Sequence, residues 1–186
     1  MNNNEAYFFY RMLNDPRKSN PFSLNCPRTI LVTHNISTGF WNYGESDIIA
    51  IDNQFHIYEG EIKVSIQDFK KDFKKNPEIL EERKAKLTGK YYIFPEEMYL
   101  KYEKEIFDIL VKFNQEHKDF CCGIVSVGNT IDFKFQSCIR YNNPKLDYRL
   151  DLVSFAKLVR LTCFRQFSPI EKSIQEKDIE NLKIFE

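Results

Sequence analysis

Three charged residues stand where they could act together on a phosphodiester. Asp47 opens an apolar stretch, and Glu61 and Lys63 lie two residues apart in a second β-prone stretch. Side chains alternate between the two faces of a strand, so Glu61 and Lys63 point to one side while Ile62 points to the other, into a core. Two carboxylates and a lysine that converge can hold a divalent metal ion against a phosphate. The pattern therefore predicts phosphodiester cleavage.

The context of these residues favours a site. On the alternative interpretation, Glu61 and Lys63 form a solvated strand face and Asp47 caps a strand, which is plausible where charged residues make up 29% of the chain. However, a tight turn joins the two stretches, so Asp47 and Glu61 can meet at adjacent strand ends. The helix that follows adds amide groups and the positive end of its dipole. Asp47, Glu61 and the Ile62 carbonyl then predict a Mg²⁺ site that Mn²⁺ could also occupy, and Lys63 would position water or stabilise charge.

The remaining elements must hold this site in place. Apolar periodicity, turn residues and helix caps predict an α/β fold. A capping pattern begins one helix, with Ser65 as N-cap and Asp68 at the third helical position. The predicted elements are a helix over 4–14, strands over 29–33, 47–51 and 55–64, helices over 66–76 and 78–87, a strand over 90–94, a helix over 96–118, strands over 121–127 and 131–141, and a largely buried helix over 147–166.

Length and composition restrict the class of protein. The 186 residues suit one domain over 1–186 with a charged, peripheral segment at 167–186. No targeting signal or apolar run of about 18 residues is present, so we expect a cytoplasmic protein without a membrane partner. The five cysteines are odd in number and form no C-x-x-C pair, which favours reduced thiols over disulfides or a zinc site.

Positive charge would have to be local for nucleic acid to bind, because 27 basic and 27 acidic residues cancel. One helix concentrates such charge, and it predicts contacts with a phosphate backbone, although an ordinary solvated helix face would look the same. Its lysines are Lys70, Lys71, Lys74 and Lys75. The loop aromatics Phe40, Trp41 and Tyr43 could either stack on bases or pack against the protein. The three histidines are scattered and are interpreted as structural or surface residues.

The three charged residues resemble the active site of a known family of nucleases. Asp47 with Glu61-x-Lys63 resembles the active site of the PD-(D/E)xK nuclease superfamily, which has the restriction-endonuclease-like fold. A longer set of segments resembles the MmcB-like DNA-repair proteins and related small phage nucleases over roughly residues 28–165. These segments are Gly60–Ser65 with Asp68, Phe69 and Asp72, then Tyr91–Pro95, then Gly123–Val127.

The resemblance implies a central mixed β-sheet flanked by α-helices and a Mg²⁺-dependent nuclease that acts on DNA. Asp47 and Glu61 would be metal ligands, and Lys63 the catalytic base or charge stabiliser. Glu5 on the first helix would be an accessory acid, unless it only complements the helix dipole. Ser65 is a further accessory candidate. Ser46 stands where the superfamily name has proline.

Two other interpretations share this fold. The protein could bind nucleic acid or a partner protein without cutting, or it could be a structural accessory protein of a phage or mobile element. The intact set of Asp47, Glu61 and Lys63 favours the nuclease, because a lapsed site commonly loses one of its members.

Overall fold

The computed structural model describes residues 3–36, 40–74, 77–117, 120, 122–135 and 148–162. The chain divides into two compact units, Met1–Leu150 and Asp151–Glu186. A single domain over 1–186 stays a prediction, and the segment 167–186 lies outside the described residues. None of the helices in the described ranges has the length and apolar character to cross a membrane.

The first unit contains a six-stranded sheet and four helices among its described residues. In chain order the elements are α1 (Asn3–Leu13), β1 (Thr29–Ile36), β2 (Ser46–Asp52), β3 (Ile57–Ile62), α2 (Ile66–Asp72), α3 (Pro77–Lys86), β4 (Gly89–Pro95), α4 (Glu96–Glu116), β5 (Cys122–Val127) and β6 (Ile131–Phe135).

The strands are ordered β1-β2-β3-β4-β5-β6 across the sheet. The pairs β1–β2, β2–β3 and β5–β6 are antiparallel, whereas β3–β4 and β4–β5 are parallel. Parallel neighbours require crossover connections, which α2 with α3 provides for the first pair and α4 for the second. The protein is thus α/β with a mixed sheet flanked by helices, as the sequence predicts.

The sheet separates two packed layers. One face buries aliphatic side chains such as Ile48 and Ile93 in a core that includes Met12 of α1. The other face lies under α2 and α4, where the ring of Phe69 is 5.0 Å from that of Tyr92 and about the same distance from neighbouring rings. Side chains alternate along β3, so Glu59 and Glu61 fall on this second face.

Gly60 fixes how β3 sits in the sheet. A Cβ atom at this position would lie 2.9 Å from the Cδ1 atom of Ile93, closer than real side chains approach. The backbone of β3 therefore packs directly on the α1 layer. Glu59 and Glu61, on either side of Gly60, are directed to the opposite layer.

Several predicted boundaries differ in the structure: β1 continues to Ile36 and α2 already ends at Asp72. The strand predicted over 55–64 is shorter, because Phe55 has φ = 63° and belongs to the turn that precedes β3. The helix predicted over 147–166 begins at residue 152 and is not largely buried at its start, since Leu152 and Val153 are 71% and 81% exposed. Residues 163–166 of that prediction, and 136–141 of the last predicted strand, lie outside the described residues.

Candidate active site

Asp47 and Glu61 lie at adjacent strand ends, as the sequence predicts. Ile48 pairs with Gly60 across β2 and β3, so the next position in register brings Asp47 opposite Glu61. The Oδ2 atom of Asp47 accepts a hydrogen bond from the backbone N–H of Ile62 at 2.8 Å. This bond continues the hydrogen bonding between β2 and β3 beyond their last backbone pair. The N–H and C=O of a strand residue point to the same neighbouring strand, so the Ile62 carbonyl lies on the Asp47 side.

Lys63 is held by carboxylates. Its Nζ atom lies 2.9 Å from Asp72 Oδ1, 3.4 Å from Glu61 Oε2 and 3.6 Å from Asp68 Oδ2. Burial by itself lowers the pKa of Lys63, but Glu61 and Asp72 outweigh it and raise that pKa above its usual value. Lys63 therefore stays protonated near neutral pH, which favours a charge-stabilising role over that of a general base.

Glu59 forms a second, tighter centre that the sequence analysis missed. It is fully buried, with Arg83 Nε at 2.7 Å and Lys90 Nζ at 2.8 Å, and it also accepts the hydroxyl of Ser46. Burial alone would raise the pKa of Glu59, but Lys90 and Arg83 lower it to about 2. Together with the ion pairs of Lys63, these groups form what we call the buried charge cluster. It consists of Glu59, Glu61, Lys63, Asp72, Arg83 and Lys90.

Within this cluster, Glu61 is the carboxylate with the weakest contacts. Its side chain is 6% exposed, yet its cationic neighbours lie 3.4 Å (Lys63) and 3.7 Å (Lys90) away, and each of them is closer to another carboxylate. Burial raises the pKa of Glu61, and the nearby Glu59 and Asp72 carboxylates add to the effect against the opposing lysines. A buried carboxylate with only long contacts would gain from a further cation.

The opposite pKa shifts give a test of this charge distribution. Glu59 has a lowered pKa, so its stabilising effect is complete above its ordinary value of 4.5 and should be lost as the pH falls towards about 2. Glu61 has a raised pKa, so it should take up its proton above pH 4.5. As the pH is lowered, carboxyl-carbon NMR of glutamate-labelled protein should show Glu61 taking up its proton before Glu59, and urea unfolding should show stability falling below pH 4.5. Titration of Glu59 before Glu61 would contradict the assignment.

A cleft of about 1320 Å³ opens over the second face of the sheet, between α2, α3 and α4. We call it the central cleft. Its floor and inner walls include Glu61, Asp72, Lys90, Tyr92, Phe73 and Phe113. Glu61 thus reaches the cleft, whereas Asp47 and Lys63 do not line it. Burial, with the neighbouring thiol and carboxylates, raises the pKa of Tyr92, so its hydroxyl remains protonated.

The segment before Asp47 is fixed by α3. Arg83 is 2% exposed; its guanidinium lies 3.7 Å from the centroid of the Trp41 ring and donates to the carbonyl oxygens of Tyr43 and Glu45. Glu82 accepts the backbone N–H groups of residues 42 and 43. Trp41 is 2% exposed and donates its indole N–H to a serine of β2. The suggestion that Trp41 stacks on bases is therefore wrong, because its ring is already covered by Arg83.

The other predicted residues have mixed outcomes. Ser65 caps α2 by accepting the Asp68 N–H at 3.1 Å, which confirms the predicted cap and gives Ser65 a structural role. Lys70 is ion-paired with Glu105 of α4. Lys71 and Lys74 are exposed, while Lys75 lies outside the described residues. Glu5 falls in the first turn of α1, but the position of its side chain is outside the described set.

Two cysteines and one histidine among the described residues also match their predictions. Cys26 and Cys122 are buried thiols and not disulfides. His56 donates or accepts through Nδ1 with Asp52 at 2.8 Å, at the far end of the β2–β3 pair from Glu61, which is a structural contact. Cys121, Cys138 and Cys163 lie outside the described residues.

One sequence signal could have revealed the missed acid. Glu59, Glu61 and Lys63 alternate along one strand, so all three belong to the same face, and a strand with three charged residues on one face needs partners if it is central. Lys90 stands beside Glu59 in the parallel register of β3 and β4, and Asp72 and Arg83 come from the following helices. Those partners depend on strand order and helix placement.

The oxygen donors of Asp47, Glu61 and Ile62 fit a Mg²⁺ ion in part. No group of three or more His, Cys, Asp or Glu side chains among the described residues has the arrangement of a metal site. Asp47, Glu61 and the Ile62 carbonyl nevertheless supply oxygen donors from two adjacent strand ends. Mg²⁺ keeps several water ligands, so two carboxylates and a carbonyl are enough protein donors.

Comparisons with known proteins add the fold alone. No protein-family model matches the chain, and no curated protein sequence matches it. A solved structure of a protein of unknown function from Silicibacter pomeroyi is similar, with a TM-score of 0.50 and 10% identity, over 77% of this chain and 81% of that one. At this identity the likeness concerns the arrangement of helices and strands.

Proposed function

We propose that the protein is a metal-dependent nuclease with a restriction-endonuclease-like fold, which hydrolyses phosphodiester bonds in nucleic acid, with DNA as the expected substrate. The observation that carries the proposal is the state of Glu61, a buried carboxylate with only long cationic contacts, next to Asp47 and two residues before Lys63. The mixed sheet and the resemblance of Asp47 with Glu61-x-Lys63 to the PD-(D/E)xK nucleases support it.

In this proposal Asp47, Glu61 and the Ile62 carbonyl would hold Mg²⁺. When bound, the ion supplies a Lewis acid and an activated water. Lys63 remains an ammonium and donates hydrogen bonds to the phosphate as negative charge develops, while Asp72 fixes its position at 2.9 Å. In the hydrolysis a water oxygen bonds to phosphorus, one P–O ester bond breaks, and the departing oxygen takes a proton.

A second candidate function rests on the charge balance of the buried cluster. Three carboxylates (Glu59, Glu61, Asp72) face three cations (Lys63, Arg83, Lys90), so the cluster is formally neutral without a metal ion. Such a network could serve only to hold β3, β4 and α3 together. That favours a nuclease-fold protein that binds nucleic acid or a partner protein without cutting.

Metal binding distinguishes these two functions. Glu61→Gln should remove Mn²⁺ binding and cleavage, and Asp47→Asn should do the same. Because ionisation of buried Glu61 opposes folding, Glu61→Gln should not lower the free energy of unfolding at pH 7. Titration calorimetry with Mn²⁺, urea unfolding, and cleavage of labelled DNA and RNA in Mg²⁺, Mn²⁺ or EDTA are the measurements.

Asp132→Asn is the matched control, since it removes an exposed carboxylate that pairs with Lys134 far along the chain from the site. It should keep both metal binding and cleavage. Cleavage in excess EDTA, or unchanged Mn²⁺ affinity in Glu61→Gln, would reject the metal site. Metal binding without cleavage of any substrate would favour the binding-only function.

A further inference from the structure

We propose that the central cleft admits nucleic acid as an unpaired strand, so that the substrate is single-stranded or is locally opened before cleavage. This inference rests on the proposed function and names its substrate class. It starts from the position of Glu61, whose side chain is 6% exposed on the floor of the cleft. Asp47 and Lys63 do not line the cleft, so Glu61 is the member of the candidate set that a strand in the cleft can bring a phosphate beside.

Base pairing would prevent that approach. In a duplex the bases are stacked and paired, and enzymes that work on a buried nucleotide must extrude it or act on single strands. Helices α2, α3 and α4 border the cleft and lie over the sheet residues that form its floor. We infer that an extended strand with its bases splayed follows this cleft between the helices.

Aromatic walls suit unstacked bases. The rings of Phe73, directly after α2, and of Phe113 on α4 both line the cleft and pack edge to face with their centroids 5.2 Å apart, and Tyr92 packs against Phe73. Both phenylalanines are half-buried, so part of each ring remains accessible. Stacking on such rings is tolerant of base identity and is a common way to bind single strands.

The rim of the cleft supplies cations for the backbone. Five lysines line it, Lys70, Lys74, Lys101, Lys104 and Lys112, together with the carboxylates of Glu45, Glu81, Glu105, Asp108 and Glu116. Lys70 pairs with Glu105, and Lys112 lies 4.0 Å from Glu116. Lys74, Lys101 and Lys104 have no carboxylate within ion-pair distance among the described residues. These three are the expected phosphate contacts.

Fluorescence anisotropy in EDTA tests the inference without cleavage. The probes are a labelled single-stranded DNA, the RNA of the same sequence and the blunt DNA duplex. We expect single strands to bind at least tenfold more tightly than the duplex. Lys74→Glu should weaken that binding and lower the slope of log affinity against log salt by about 1. Lys18→Glu is the matched control, because Lys18 is exposed and does not line the cleft.

A second pair of variants, one in the cleft and one outside it, tests the aromatic side chains. Phe113→Leu keeps an apolar side chain but loses the ring, so single-strand binding should fall about tenfold. Phe107→Leu removes a ring from the same helix at a residue that is 45% exposed and does not line the cleft, and it should bind as wild type does. If Phe113→Leu fails to fold, the two lysine variants decide.

The outcomes separate this inference from the proposed function. Tighter binding of single strands with no cleavage in Mg²⁺ would support the cleft and count against the nuclease. Cleavage or binding of duplex as readily as single strands, or equal effects of Lys18→Glu and Lys74→Glu, would overturn the inference. A preference for RNA over DNA among single strands would still support it and would name the substrate.

Discussion

Lys63→Met should lower the cleavage rate by about 10²–10³, because it removes the preorganised ammonium nearest to Glu61. The same change should lower the free energy of unfolding by about 3–5 kcal/mol, since it leaves Asp72 buried without its closest cation. The side chains of Lys63 and Asp72 are only 6% and 3% exposed. Because both side chains are buried, the variant is expected to change stability as well as chemistry.

A double variant separates chemistry from stability. In the double variant Lys63→Met with Asp72→Asn, the carboxylate that lost its closest cation is removed as well. This variant should recover a large part of the lost stability, but none of the lost cleavage. Lys63→Arg keeps the charge and should retain the most stability of the single variants. The measurements are urea unfolding and single-turnover cleavage at a temperature where each variant is folded. Wild-type cleavage by the folded double variant would exclude Lys63 from the reaction.

Arg83→Met should be the most destabilising single change in the buried charge cluster, at about 3–5 kcal/mol. Arg83 is 2% exposed, contacts the fully buried Glu59 at 2.7 Å and binds backbone carbonyls of the segment before β2. Its loss leaves Glu59 with one cation in place of two. The free energy of unfolding in urea at pH 7 is the measurement.

Lys84→Met is the control for this prediction. Lys84 is the next residue on α3, and its ion pair with the exposed Glu81 should contribute no more than about 0.5 kcal/mol. Equal destabilisation by the two variants would mean that helix propensity on α3, and not the buried ion pair, determines the effect. Limited proteolysis within residues 40–45 should also increase in Arg83→Met alone, because that segment loses its anchor.

Local sequence patterns determined most of the secondary structure. Ser65 accepts the N–H of Asp68 as the cap pattern predicts, because capping involves residues three apart and needs no distant partner. The apolar run after Asp47 and the turn that follows it likewise predicted an antiparallel pair, since neighbouring strands joined by a tight turn pair with each other. The alternation of β3 then placed Glu61 and Lys63 on one face.

Sequence patterns failed where the partner of a residue lies far along the chain. Trp41 reads as a loop aromatic, and only the docking of α3 shows that Arg83 covers its ring. Lys90 reads as the polar start of a strand, and only the parallel pairing of β3 with β4 places it against Glu59. Such contacts depend on strand order and on helix position, and neither leaves a periodic signal in the chain.

The candidate site divides in the same way. The sequence by itself determined the positions of Asp47, Glu61 and Lys63, because their spacing and the β2–β3 turn fix their register. The tertiary structure alone decided that Lys63 is buried against Asp72, that Glu61 lies on the floor of a cleft, and that its cationic neighbours are closer to other carboxylates. The physical reason is that burial and charge pairing are set by the helices that pack over β3, whose placement depends on the whole sheet.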